Sequence, residues 1–99
     1  MEFQEVKMLS SNYKSSGGLI RIRADIQENK INDIMITGDF FIFPDSRIEE
    51  IENALEGKEL NLDEIRNTID EILKDSQSTL ETEDFVNAIA GLQQEKLAE

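Results

Sequence analysis

Acid–base catalysis, nucleophilic attack and most protein metal binding run through histidine, cysteine or clustered carboxylates. This sequence contains no histidine and no cysteine. That removes disulfides, thiolate nucleophiles, iron–sulfur ligation, the commonest zinc ligands and the side chain that titrates nearest neutral pH. Acids are plentiful, 22 in 99 residues, but they recur at helical spacing on faces turned to solvent, where they solubilise rather than react. Ser15-Ser16-Gly17-Gly18 has glycines but neither the following Lys-Ser/Thr nor the helix start of a phosphate-binding loop. Asp25, Asp33 and Asp39 lack the spacing of a calcium loop. The residue types point to no catalytic residue, no bound cofactor and no metal ligand in this chain.

What remains is the chemistry of contact. Lys14, followed by Ser15-Ser16 and the paired glycines Gly17 and Gly18, reads as a loop entering a strand. Either the glycines merely turn the chain, or the loop touches a partner, with Lys14 as a cation for an acidic or phosphate group. The second feature is Gly38-Asp39-Phe40-Phe41-Ile42-Phe43. Neighbouring strand residues point to opposite faces. Phe40 and Ile42 therefore continue the face of Ile34 and Ile36, and Phe41 and Phe43 join Met35 on the other, where Arg21 and Arg23 also lie. A bulge at Gly38 and a bend toward the helices would bury these aromatics. The alternative is a partner-binding face of Met35, Phe41 and Phe43 rimmed by Arg21 and Arg23, an arginine–aromatic mixture enriched at interfaces. The arginines also have a plainer reading, as cross-strand ion pairs with Asp39 or Asp25.

The elements that carry these residues are legible from periodicity. Leu19–Gln27 alternates strictly, with Ile20, Ile22, Ala24 and Ile26 on one face, so it is a half-buried strand. Glu28-Asn29-Lys30 offers a turn, with Asn29 suited to positive φ. A second strand runs from about Ile31 to Ile42. If paired residues sum to 58, Ile22 faces Ile36 and Ala24 faces Ile34, which demands an odd loop or a bulge. Residues 3–9 suggest a third, weaker strand.

Three helices follow. Ser46 and Glu49 form a capping-box pattern before the stripe Ile48, Ile51 and Leu55, ended by Gly57. Asn61 and Glu64 precede Ile65, Ile69, Ile72 and Leu73. Thr82 is placed to cap a last helix with Phe85, Ala88, Ile89 and Leu92 on its apolar face. Asp75–Thr79 reads as a polar loop and residues 93–99 as a frayed tail. The expected fold is α+β: a three-stranded antiparallel sheet followed by three helices on one face, in two layers, as one domain over residues 1–99.

Net charge is −12, and the excess is uneven. Residues 1–43 carry five bases and six acids, whereas residues 44–99 carry five bases and sixteen acids. Such a chain repels phosphate backbones and anionic lipid, which argues against nucleic-acid and membrane roles. The N-terminus has no apolar run and no stretch approaches a membrane span, so a soluble cytoplasmic protein is expected.

The order Lys14-x-x-Gly17-Gly18-Leu19-Ile20, an alternating strand, the turn at Glu28-Asn29-Lys30, then Ile36-x-Gly38-Asp39-Phe40-Phe41 and a helix after Pro44 resembles the C-terminal accessory domain of lipoate–protein ligases. The resemblance spans about residues 10 to 92, and its departure is Ser15-Ser16, where family members often place a proline before the glycines. In that family the domain usually follows a catalytic domain that binds ATP and lipoate, forms lipoyl-adenylate and transfers lipoyl to a lysine of acceptor domains. The accessory domain changes position during the cycle and is implicated mainly in the adenylation half. Because this chain begins just before the motif, the resemblance implies a split enzyme, in which this subunit pairs as a heterodimer with a shorter catalytic chain. The complex would use ATP, Mg and lipoate, none of them bound here, and the resemblance brings no catalytic residue into this domain. The partner-binding candidates read from the residues themselves are Lys14, Gly17, Gly18, Arg21, Arg23, Met35, Gly38, Asp39, Phe41 and Phe43. The fold is also similar to iron–sulfur scaffold domains, whose cysteines are missing. An acidic adaptor with no ligase role is the alternative, and a self-sufficient enzyme has no reactive residues to stand on.

Overall fold

The computed structural model describes the backbone of residues 8–97 and the side chains of residues 8–92. Strands β1 (Met8–Ser15), β2 (Gly18–Gln27) and β3 (Lys30–Asp39) form an antiparallel meander with β2 in the centre. Then come a short strand β4 (Ile42–Phe43), helices α1 (Ser46–Leu55) and α2 (Leu62–Leu73), a short strand β5 (Gln77–Ser78) and helix α3 (Thr82–Leu97). The α+β arrangement of three strands and three helices is as expected.

The β2–β3 register follows the apolar parity: Ile22 stands opposite Ile36 and Ala24 opposite Ile34. The turn itself is two residues, Glu28 and Asn29, with φ of 52° and 64°, the paired positive values that suit the twist of a tight hairpin. Two-residue closure alone would offset the faces. A register shift beyond Asp25 corrects it, because Ile26 pairs with Ile31 and Asn32 becomes the extra residue. The bulge is pinned chemically. The Asn32 amide donates to Asp25 Oδ2 at 2.9 Å, and the Gln27 amide donates to the same oxygen at 3.1 Å, so the buried Asp25 carboxylate is satisfied.

Strand β1 lies later than residues 3–9, of which residues 3–7 fall outside the described region. Its inward positions are Leu9, Ser11 and Tyr13. Helix α3 crosses β1 so closely at Gly91 that a Cβ there would collide with the Ser11 hydroxyl. A small residue thus fits where a strand pattern leads one to look for a large apolar one.

β3 stops at Asp39 instead of reaching Ile42. Gly38, at φ 146°, turns the chain, Phe40 packs edge-on against Phe85 with ring centroids 6.2 Å apart, and β4 pairs with β5 in a second small sheet. The segment expected as a polar loop therefore contains a strand, and two residues are too few to show periodicity.

Two expected caps differ. Ser46 is already helical. The first α1 amides are satisfied by backbone instead, with Arg47 N–H donating to Pro44 O at 3.0 Å and Ile48 N–H to Asp45 O at 3.3 Å. Thr82 is likewise inside α3 and donates its hydroxyl to Asp70 at 3.0 Å, while Asp84 reaches back to the Glu81 amide at 2.8 Å. Asn61 does cap α2, its Oδ1 accepting from the amides of Asp63 and Glu64 at 3.1 and 3.2 Å. Gly57, at φ 86°, ends α1 as expected. The backbone of α3 continues to Leu97 through residues of good helix propensity.

Helix α3 lies over β1 and β2, α1 over β3, and α2 bridges α1 and α3. They bury Ile20, Ile22, Ala24, Ile34 and Ile36 of the sheet against Ile51, Leu55, Ile65, Ile69, Phe85, Ile89 and Leu92. Burial of this apolar layer is the main stabilising term. The opposite face of the sheet has no covering layer among the described residues.

Candidate functional site

The register sets out that uncovered face row by row. Met8, Asp25 and Asp33 form one cross-strand row; next come Ser10, Arg23 and Met35; then Asn12, Arg21 and Thr37; last Lys14, Leu19 and Asp39. The two arginines, about 7 Å apart along β2, stand between neutral neighbours. Asp25 is turned to Gln27 and Asn32, and Asp39 stands opposite Leu19. Among the described residues neither Arg21 nor Arg23 joins an ion pair. Cross-strand pairing with Asp25 or Asp39 is therefore not what holds them. Both are exposed, as is Lys14.

Met8, Ser10, Asn12, Arg21, Arg23, Met35 and Thr37 line a depression of about 510 Å³. Met8 and Met35 are 42% and 56% exposed at its edges. The centre of the face is cationic and apolar, in a chain whose charge is otherwise strongly acidic.

Phe41 and Phe43 are not buried by the bend: they are 54% and 59% exposed, with Ile42 buried between them. They belong to the β4–β5 segment rather than to the three-stranded sheet. The Phe41 amide donates to Thr79 Oγ1 at 3.0 Å, and the Thr79 amide donates to Phe41 O at 2.9 Å. Phe43, in β4, and Phe41, just before it, thus stand apart from the sheet that carries Met35, Arg21 and Arg23.

The glycines of the motif serve the chain's own backbone. Ser16-Gly17 is a two-residue hairpin turn, with Ser15 paired to Gly18, so Lys14 and Ser15 are strand and not loop. A Cβ on Gly17 would collide with the Thr79 carbonyl, one on Gly18 (φ 140°) with the Asp39 carbonyl, and one on Gly38 with the Leu19 carbonyl. The GG and GDFF halves of the motif meet here: the hairpin tip is laid against the end of β3 and the β5–α3 loop.

Another concavity, about 580 Å³ between α2 and the start of α3, is lined in part by charges that are already engaged. Arg66 binds Glu83 at 2.5 Å and Asp63 at 3.0 Å. The hydrogen bond and charge of Glu83 raise its guanidinium above the ordinary arginine value. No group of three or more acids among the described residues could hold a metal ion, and no helix is long and apolar enough to cross a membrane. Sequence reasoning missed Met8, Ser10, Asn12 and Thr37 as members of the open face. Ser10 and Asn12 are hidden when β1 is placed too early in the chain, and Met8 lacks a register there; Thr37 is recoverable, since it faces Arg21 in the parity register.

Comparison with known proteins agrees with this architecture. Residues 7–89 match the family model described as bacterial lipoate protein ligase C-terminus. Lipoate-protein ligase A subunit 2 of Thermoplasma acidophilum is 38% identical over 84 residues, which cover 83% of this chain and 87% of that protein. A solved chain from the archaeal lipoylation system of Thermoplasma acidophilum, described as a bi-partite lipoate protein ligase and its E2 lipoyl domain, superposes with a TM-score of 0.76 at 36% identity. The match covers 86% of this chain and 97% of that one. The chain belongs to the lipoate–protein ligase C-terminal domain family.

Proposed function

We propose that this chain is the non-catalytic accessory subunit of a two-part lipoate–protein ligase, working with a separate catalytic chain in ATP-dependent activation of lipoate. The observation that carries this reading is its likeness, over nearly the whole length of both proteins, to a relative named as the second subunit of such a ligase. The absence of histidine and cysteine is consistent with it, because the chain lacks the commonest acid–base and nucleophilic side chains. In this reading the catalytic chain binds ATP, Mg and lipoate and transfers lipoyl to lysines of acceptor domains. The accessory chain docks over that active site and orders the loops around the adenylate, converting binding energy into pre-organisation. Lys14, Arg21, Arg23, Met35, Asp39, Phe41 and Phe43 are the contact candidates, with Gly17, Gly18 and Gly38 shaping the backbone beneath them. The test is to purify the catalytic chain of the same organism and mix it with this one. A heterodimer by sedimentation, with lipoyl-adenylate formed only by the mixture, is the expected result; full adenylation by the catalytic chain alone contradicts it.

A further inference from the structure

The outer face of the three-stranded sheet has a charge pattern that selects among possible occupants. Arg21 and Arg23 project side by side from the central strand, and their cross-strand neighbours Asn12, Thr37, Ser10 and Met35 are all neutral. Among the described residues neither forms an ion pair, and the nearest acids in the register, Asp25, Asp33 and Asp39, stand in the flanking rows. In a protein of net charge −12, two guanidiniums without an ion pair among the described residues, beside two exposed methionines, make the face unlike the helical surface. Planar guanidinium forks match carboxylates bidentately, and thioethers adapt to apolar side chains of varied shape.

We infer that this face docks an acidic surface of the catalytic chain, one presenting at least two carboxylates around an apolar side chain, with Arg21 and Arg23 as the central contacts. The inference rests on the subunit reading above and adds the face and the chemistry of its partner. Two other occupants fit less well. A nucleotide polyphosphate is usually gripped by backbone amides as well as cations, and the amides of a central strand are directed to its two neighbours in the sheet. A second copy packed by two-fold symmetry would set arginine against arginine between two acidic molecules.

Calorimetric titration of the full chain into its catalytic partner, at low and high salt, tests the inference. The proteins compared are the wild type, Arg21→Glu, Arg23→Glu and the double variant. All substitutions lie on an exposed face, so unchanged melting temperatures confirm folding. The expected result is wild-type binding that weakens with salt, a loss of about tenfold or more for each single variant and about 100-fold for the double, as for charges central to an interface. Wild-type binding with an unaffected double variant overturns the face while leaving the subunit reading intact. No binding by the wild type removes the subunit reading first, and this inference with it. Titration of the isolated chain with ATP and with pyrophosphate is the companion experiment. No heat with either supports the inference, and saturable binding lost in the double variant overturns it in favour of an anion site.

Discussion

Gly17→Ala adds one methyl group at the β1–β2 hairpin tip, and the structure fixes what it meets. The new carbon would overlap the Thr79 carbonyl oxygen, 2.6 Å from the carbonyl carbon and 3.3 Å from the Leu80 amide nitrogen. No flexible side-chain end is there to swing away. Thr79 is tied to Phe41 through both its amide and its hydroxyl, at 2.9 and 3.0 Å, so a piece of backbone must move. Overpacking of this kind costs about 1–3 kcal/mol. Because the displaced atoms are hydrogen-bonded main chain, a value near the top of that range, about 2–3 kcal/mol, is expected. For a domain of this length the melting temperature then falls by roughly 10–20 °C. Gly57→Ala is the control that separates sterics from backbone strain. Gly57 sits at φ 86°, with no atom within 4 Å of where a Cβ would stand, so its variant carries only the left-handed penalty of about 1–2 kcal/mol. Both are measured by urea unfolding of the isolated chain followed by circular dichroism. A Gly17→Ala protein within about 0.5 kcal/mol of wild type, the range of ordinary surface changes, would refute the internal-packing account. If that protein also lost its partner, the hairpin tip would belong to the interface.

Three further outcomes follow from the same geometry. Asn61→Ala removes the acceptor for two α2 amides and is expected to cost about 1 kcal/mol. Ser46→Ala, at a residue already inside α1 rather than at its cap, is expected to stay within about 0.5 kcal/mol of wild type by the same unfolding assay. Phe85→Ala empties a fully buried site in contact with Phe40. Its expected cost is about 3–5 kcal/mol, the largest of these variants, seen as the largest fall in the urea midpoint and melting temperature.

The elements most legible from sequence are those whose burial is one-sided. β2 shows its alternation because helices cover one face and nothing among the described residues covers the other. The parity of its apolar set is enough to demand an odd loop or a bulge, and the structure supplies the bulge, at Asn32. β1 is obscured because Ser11, an inward residue, meets the backbone of α3 at Gly91, and close helix approach erases the apolar signal. Ser46 and Thr82 carry cap-forming side chains, yet neighbouring backbone carbonyls and Asp84 satisfy amides at those two helix starts. On the candidate site, the outward set of Arg21, Arg23 and Met35 can be read directly, since it is the complement of the core face. The separation of Phe41 and Phe43 from that set cannot. It depends on β4 pairing with β5, which joins Ile42 to Ser78 and Phe43 to Gln77 across two intervening helices, and no local pattern announces it.

The central claim is the proposal that this chain serves the chemistry of a catalytic partner. The direct measurement is single-turnover formation of lipoyl-adenylate by a fixed amount of catalytic chain, with increasing amounts of this protein. Adenylate that rises with added chain and saturates at one equivalent is the predicted result. A yield that does not change from zero equivalents upward would contradict it.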